Sequence, residues 1–363
     1  MKTWWHYKPI LFLSLLLIAD KILLIPYVSD NFTLRLRPNF DILAFENIEY
    51  LANSPKTDVW MFGSSRTEPF RTTPSPVDVK LFPYINQEDR KRLNQYRFIP
   101  LTLPGNVPVS FLYHYNYLRL KNYKPDLVFI ELSIAFFRVT TTGKSSYFFD
   151  LAPDRFIIKN LHRFPKSYIF EWLTSKLLLG TAYPPGFYKD LDLQNIRATH
   201  PLNFFKQEFL ASNRLTRIGD NDTDALASQY PDLEKWPEYK KGLFQRELGG
   251  MSGQFQIDSV TIAILDKLLT QLDNDNITYI LWVPPLHKNL SILQDEINAP
   301  GFQRELLMYL KTRHPRLQVI DFNENNEYKL NCQYFWNEGH LSRYCYTELA
   351  ARLTEFFENE QLK

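Results

Sequence analysis

The chain is short of several features that would assign it to a well-defined class of protein. It has only two cysteines, no glycine-rich phosphate-binding loop, no internal repeat, and no cysteine or histidine cluster at metal-ligand spacing. Its net charge of +2 is too small to predict a nucleic-acid partner. The sequence therefore predicts no metal, no cofactor and no nucleic-acid surface.

The residues that are present predict an α/β fold. Hydrophobic residues make up 45% of the 363 positions, enough to bury a large core. Runs with helical spacing, at 259–272 and 302–312, alternate with short apolar runs typical of strands. This pattern favours a flavodoxin-like three-layer sandwich around a parallel sheet of about five strands. The predicted strands are 59–62, 98–103, 126–132, 278–283 and 317–322.

Polar and small residues follow the predicted strands. Ser65, Gly105 and Ser133 come after the first, second and third strands, and His287 follows a double proline after the fourth. His340 lies in a loop just before the C-terminal helix. Ligands of open α/β sheets bind beyond the carboxyl ends of the strands, so we expect these residues at one edge.

A serine and a histidine at one sheet edge predict acyl-transfer chemistry. Serine is a weak nucleophile until a base accepts its proton, and we assign these roles to Ser65 and His340. Ser64 is the rival nucleophile, and His114 and His287 are the rival bases.

Three segments resemble motif blocks of the SGNH/GDSL hydrolases. Gly63-Ser64-Ser65-Arg66 is similar to block I, which implies that Ser65 is the nucleophile. Leu103-Pro-Gly-Asn106 is similar to block II, which implies an oxyanion-hole N–H from Gly105. Asn337-Glu-Gly-His340 is similar to block V, which implies that His340 is the base.

The sequence departs from the SGNH pattern at three places. Ser64 replaces the usual aspartate of block I, and Glu131-Leu-Ser133 replaces the usual asparagine loop of block III. Asn337 stands where an aspartate would orient the histidine, so the third member of the site is Asn337, Glu338 or a backbone carbonyl.

The remaining site predictions concern the oxyanion and the substrate. Removing one oxyanion donor typically costs about 2.7–4 kcal/mol, and the N–H groups of Ser65 and Gly105 are the natural donors. The hydroxyl of Ser133 either joins them or caps a loop. Arg66 either binds an anionic substrate or holds the turn. The candidate substrate-binding residues are Arg66, Asn106, His287 and Glu338.

Residues 1–30 predict a membrane anchor. An apolar run from Ile10 to Val28 is interrupted by Asp20 and Lys21 and has about the 19 residues that a bilayer core requires. No small-residue cleavage site follows Ala19. An uncleaved anchor is favoured, with a cleaved signal peptide and a buried or interfacial helix as alternatives.

Residues 31–363 form the predicted SGNH-like domain, with a largely helical insertion at about 136–253. The insertion breaks the strand–helix alternation, and 167–179 could form an apolar helical face. It is predicted to pack on the core or form a lid, and the alternative is contact with a membrane or a partner.

The overall layout resembles membrane-anchored extracytoplasmic SGNH-like proteins, such as those of teichoic acid D-alanylation and alginate O-acetylation. The resemblance implies an esterase or O-acyltransferase that modifies a cell-envelope glycan, with a polytopic acyl-transfer membrane protein as a candidate partner. The alternative is a catalytically weak or inactive scaffold or glycan-binding subunit.

Cys332 and Cys345 flank the loop that carries His340, with 12 residues between them. In an exported domain paired thiols tend to oxidise, so a disulfide here is one prediction. Two separate thiols are the alternative.

Overall fold

The computed structural model describes residues 8–24, 56–67, 69–70, 84–102, 107–120, 122–138, 152–178, 232–248, 257–324, 326–342 and 345–361. The chain forms two compact units. One combines Met1–Leu43 with Asp154–Glu208, and the other combines Ala44–Pro153 with Phe209–Lys363. The predicted insertion is therefore divided between the two units.

The strands are β1 (Thr57–Gly63), β2 (Tyr96–Thr102), β3 (Leu127–Glu131), β4 (Thr278–Val283), β5 (Gln318–Asp321), β6 (Phe335–Asn337) and β7 (His340–Leu341). The α-helices are α1 (Lys8–Asp20), α2 (Gln87–Leu93), α3 (Pro108–Leu120), α4 (Asp154–Lys159), α5 (Lys166–Leu177), α6 (Pro237–Leu243), α7 (Ser259–Asn274), α8 (Lys288–Glu296), α9 (Ala299–Arg313) and α10 (Tyr346–Gln361). Short 3₁₀ turns cover Lys21–Leu24, Ile134–Phe137 and Leu161–Arg163, and a π-helix covers Phe244–Leu248.

A five-stranded parallel sheet in the order β2-β1-β3-β4-β5 forms the centre of the larger unit. This is the flavodoxin-like order, so the predicted fold class is confirmed. Each of the five predicted strands overlaps an observed one, and 278–283 matches β4 at both ends.

Both faces of β1 are buried, because its side chains alternate between two helical layers. Val59 and Met61 belong to a hydrophobic cluster that includes residues of α10. Trp60 and Phe62 contact aromatic rings of α3 on the opposite face. On the two sides, α2 packs with α10 and α3 packs with α7. These contacts make the three layers of the sandwich.

Side-chain caps begin several helices of the larger unit, among them α2 and α7. Asn86 accepts a hydrogen bond from Asp89 N, and the Asp89 side chain accepts one from Asn86 N, which together form a capping box at α2. Asp258 accepts hydrogen bonds from Val260 N and Thr261 N at the start of α7. These caps satisfy backbone donors that have no partner within the helix.

The smaller unit contains the N-terminal helix. Most of the apolar side chains of α1 are exposed, including Phe12 at 68% and Ile18 at 65%. Lys21 Nζ donates to the carbonyl of Leu177 at the end of α5. Within the described residues, no helix combines the length and the apolar character that crossing a bilayer requires. The predicted anchor also covers residues 1–7 and 25–30, which lie outside the described ranges, so the anchor stays a prediction.

Candidate active site

The turn after β1 holds Ser65 at the carboxyl edge of the sheet. Gly63, the last residue of β1, has no room for a side chain: a Cβ there would lie 1.8 Å from Thr67 Oγ1. Thr67 N donates to the Ser64 carbonyl and closes the turn. Ser64, Arg66 and Thr67 are buried, whereas Ser65 is partly exposed. The turn therefore presents one hydroxyl to solvent.

A buried carboxylate on the neighbouring strand β3 holds this turn through hydrogen bonds. Glu131, at the end of β3, is 1% exposed. It accepts hydrogen bonds from Ser64 N at 2.8 Å, from Ser64 Oγ at 2.9 and 3.0 Å, and from Thr67 Oγ1 at 2.9 Å. The Ser64 hydroxyl is thus directed to Glu131 and away from the histidine.

His340 lies on a tight hairpin that links β6 to β7. Asn337 and His340 are paired across the hairpin, and Glu338 and Gly339 form its two-residue turn. Cys332 and Cys345 form a disulfide around this segment, with their Cα atoms 5.3 Å apart. The hairpin is therefore restrained both by its own pairing and by a covalent bridge.

The hairpin brings three predicted residues into one hydrogen-bonded chain. Ser65 Oγ lies 2.6 Å from His340 Nε2, and His340 Nδ1 lies 2.8 Å from Asn337 Oδ1. Gly339 N donates to the same Oδ1 at 3.0 Å, which identifies that atom as the amide oxygen. Because an oxygen acceptor faces Nδ1, the proton of the neutral imidazole belongs on Nδ1. The lone pair of Nε2 then faces the Ser65 hydroxyl.

The surroundings keep this imidazole neutral. Burial, together with the positive charges of Arg66 and Arg246, lowers the pKa of His340 to about 4, although the carboxylate of Glu247 acts in the opposite direction. A neutral imidazole is the form that can accept a proton, so the histidine is ready to act as a base at neutral pH.

Arg66 joins the serine turn to the histidine hairpin. Its Nε donates to the Gly339 carbonyl, and its Nη1 donates to Ser133 Oγ at 2.8 Å. Its Nη1 also lies 3.7 Å from Glu131 Oε1, and its backbone carbonyl accepts a hydrogen bond from Tyr346. Of the two roles predicted for Arg66, these contacts are those of a residue that holds the turn.

Glu338 and His287 are occupied by structural contacts. The Glu338 carboxylate is buried and accepts hydrogen bonds from Tyr239 and from Arg246 at 2.7 Å, so it does not contact the imidazole of His340. His287 N donates to the Glu338 carbonyl, and His287 Nδ1 accepts from Asn289 N at the start of α8. Burial lowers the pKa of His287. Of the alternatives for the third member of the site, Asn337 and not Glu338 faces His340 Nδ1.

The other candidates fall on different parts of the chain. His114 is buried in α3. Ser133 precedes a 3₁₀ turn without capping it through its side chain, and it accepts from Arg66 instead. Gly105 and Asn106 lie outside the described residues. The described part of the chain contains no cluster of side chains that could hold a metal ion.

Four residues that shape the site are not among the candidates that the sequence predicts: Glu131, Tyr239, Arg246 and Glu247. Glu131 carried a signal, since a carboxylate at the end of an apolar strand is unusual unless it has partners. The sequence contains no signal that would place the other three, Tyr239, Arg246 and Glu247, at the site. They lie in the predicted insertion, and no motif or periodicity connects them to a histidine about 100 positions away in the chain.

Comparisons with known proteins show the family. The model described as "Protein of unknown function (DUF1574)" matches residues 1–356. The chain belongs to this family. No curated protein matches it. Among solved structures, an acetyl xylan esterase, AlAXEase, has a TM-score of 0.34 and 12% identity over 82% of this chain and 98% of its own. A similarity of this size carries no conclusion about activity.

Proposed function

We propose that the chain is a membrane-anchored SGNH-like esterase or O-acyltransferase that acts on a cell-envelope glycan. The observation that carries the proposal is the chain of hydrogen bonds from Ser65 Oγ through His340 to Asn337 Oδ1. A hydroxyl, an imidazole and an acceptor in this order are the parts of an activated serine nucleophile.

In the proposed reaction, Ser65 Oγ attacks an ester carbonyl while His340 Nε2 takes the hydroxyl proton. The imidazolium then gives this proton to the departing alcohol, which leaves an acyl-Ser65 intermediate. Water or a sugar hydroxyl next loses its proton to Nε2 as it attacks the acyl group, and Nε2 returns that proton to Ser65. Water gives net hydrolysis, and a sugar hydroxyl gives transfer.

The oxyanion donors in this proposal are backbone N–H groups and one hydroxyl. The N–H of Ser65 and that of Gly105 are the expected backbone donors. Ser133 accepts from Arg66, and a hydroxyl that accepts one hydrogen bond can still donate another. Each donor would matter most in the transition state, where the carbonyl oxygen becomes negatively charged.

The proposed membrane location and the proposed glycan substrate are supported by observations outside the active site. Exposed apolar side chains along α1 favour insertion of the N-terminus in a membrane. The glycan, and a polytopic acyl-transfer protein as partner, rest on the resemblance to envelope-modifying SGNH-like proteins. Extraction of the full chain with detergent, but not with high salt or carbonate, would support the anchor.

A catalytically weak or inactive scaffold, or a glycan-binding subunit, is the second candidate. The neutral amide of Asn337 favours it, because an amide stabilises an imidazolium less well than a carboxylate does.

A fluorophosphonate probe separates the two candidates. We expect the purified full chain to be labelled at one site, located at Ser65 by peptide mass spectrometry. Ser65→Ala should remove the label, and Ser64→Ala should retain at least part of it. If the folded wild-type chain is not labelled, either alone or in membranes from its source, the scaffold is the better account.

A further inference from the structure

The segment 237–248 of the predicted insertion reaches the histidine hairpin. It consists of α6 followed by the π-helix Phe244–Leu248. Tyr239 and Arg246 hold the carboxylate of Glu338 in the hairpin turn, and Glu247 points to Arg66. An insertion that contacts both the serine turn and the histidine hairpin takes part in the electrostatics of the site.

Glu247 lies next to Arg66 and Gly339, which neighbour Ser65 and His340 in the chain. Its Oε2 is 3.6 Å from Arg66 Nη2, and its side chain is 16% exposed. A Cβ on Gly339 would be 3.2 Å from the same oxygen, so the carboxylate lies beside the residue that precedes His340. Arg246 Nε donates to Glu247 Oε1 at 3.0 Å and holds the carboxylate in place.

The site needs a negative charge because the base becomes a cation when it takes the serine proton. Asn337 is neutral. Among the described residues, the charged groups around the hairpin include the cations Arg66, Arg138 and Arg246 and the carboxylates Glu131, Glu247 and Glu338. Glu131 accepts hydrogen bonds below the serine turn, and Glu338 is held by Tyr239 and Arg246.

We propose that Glu247 supplies the charge that Asn337 does not, stabilising the protonated form of His340 through space without touching the imidazole. Its effect on the titration of His340 has the sign that this role requires: burial and Arg66 lower the pKa of His340, Glu247 raises it, and Arg246 lowers it. Glu247 is a positioning residue in this scheme. The inference rests on the proposed function and identifies the residue that balances the charge of its base.

The test compares Glu247→Gln with Arg246→Gln and a control. Glu238→Gln removes a carboxylate from the same segment, where the side chain is 89% exposed and pairs only loosely with Lys241 at 3.9 Å. The readout is the titration of His340 by NMR in the full chain in detergent micelles, with isotope-labelled histidine. His340→Ala assigns the resonance among the seven histidines.

We expect Glu247→Gln and Arg246→Gln to shift the titration midpoint of His340 in opposite directions. Glu247→Gln should lower the titration midpoint of His340, Arg246→Gln should raise it, and Glu238→Gln should leave it unchanged. With an ester substrate, Glu247→Gln should lower kcat about 3- to 10-fold with little change in KM, since a charge acting through space alters the transition state more than binding. Glu247→Asp should recover part of the loss.

Unchanged midpoints in both variants would overturn the inference, as would shifts of the same sign, which a loosened hairpin would produce. If Glu247→Gln does not fold, Glu247→Ala is titrated in its place: a lower midpoint supports the inference, and an unchanged midpoint overturns it. The titration does not depend on turnover. If the two variants shift the midpoint in opposite directions but the chain hydrolyses no ester, the effect of Glu247 on His340 is supported and only the proposed function is contradicted.

Discussion

Ser65 and His340 are 275 positions apart in the chain, yet Ser65 Oγ and His340 Nε2 lie within a 2.6 Å hydrogen bond. The parallel sheet accounts for this contact. It places the end of β1 at the edge where the hairpin before α10 also arrives, and Arg66 holds the two together by donating to Gly339.

The first prediction concerns this pair. Ser65→Ala and His340→Ala should each lower kcat for an ester substrate by more than about 10³-fold, and the double variant should be little worse than either single variant, because residues of one catalytic unit are not additive. Both residues are partly exposed, so thermal unfolding should change little. Losses that multiply in the double variant would contradict a shared role.

Asn337→Asp tests the neutral acceptor. A carboxylate beside Nδ1 should raise the pKa of His340, stabilise the imidazolium and increase the acylation rate. Since the base must be neutral, activity falls as pH drops through the pKa of His340. In the wild type, activity should therefore be lost near the His340 pKa of about 4. In the variant, the same loss of activity should occur at higher pH. Stopped-flow acylation across pH would measure both. A slower variant that loses activity at the same pH as the wild type would mean that the site is built around asparagine.

Glu131→Gln tests the carboxylate beneath the serine turn. The amide would turn donors toward the Ser64 and Thr67 hydroxyls and would remove the charge that faces Arg66. Breaking a buried, hydrogen-bonded charge of this kind should destabilise the fold by about 3 kcal/mol. Glu88→Gln, at an 81% exposed side chain, is the matched control and should stay within about 0.5 kcal/mol of wild type. Equal stability of both variants in urea unfolding would show that Glu131 does not hold the turn.

The disulfide gives a further prediction. Cys332 and Cys345 enclose the hairpin, and a bridge over a loop of about 14 residues is worth about 3 kcal/mol in the chain-entropy model. Mass spectrometry of the non-reduced protein should show one bridged peptide pair, and Cys332→Ser with Cys345→Ser should lower the unfolding temperature. Two freely alkylated thiols in folded, active protein would instead mean that pairing and packing alone hold the hairpin.

Much of the fold could be predicted from the sequence, because buried parallel strands appear as short apolar runs. The run at 278–283 has the same bounds as β4, and the helix predicted at 259–272 is α7. The boundaries of 98–103 and 317–322 differ from the observed strands by one or two residues, since strand ends depend on partners that a single run does not contain. The small-residue turn at Ser65 and the histidine before the last helix were visible for the same local reason.

Only the tertiary structure shows which side chains contact His340 and Glu338. From the sequence, the group that orients the histidine is Asn337, Glu338 or a backbone carbonyl. The hairpin pairs Asn337 with His340, whereas the side chain of Glu338 goes to Tyr239 and Arg246. No local pattern gives the direction of a side chain in a two-residue turn.

The sequence by itself determined the fold class, the order of the strands along the chain and the two residues of the proposed nucleophile and base, because each depends on local apolar patterning and on which residues end a strand. Only the tertiary structure decided what surrounds them. The contact between Glu131 and Ser64, the approach of Glu247 to Arg66 and the neutral state of His340 all arise from burial and from charges that are distant in sequence. Burial and through-space charge are properties of the packed chain, and no segment carries them alone.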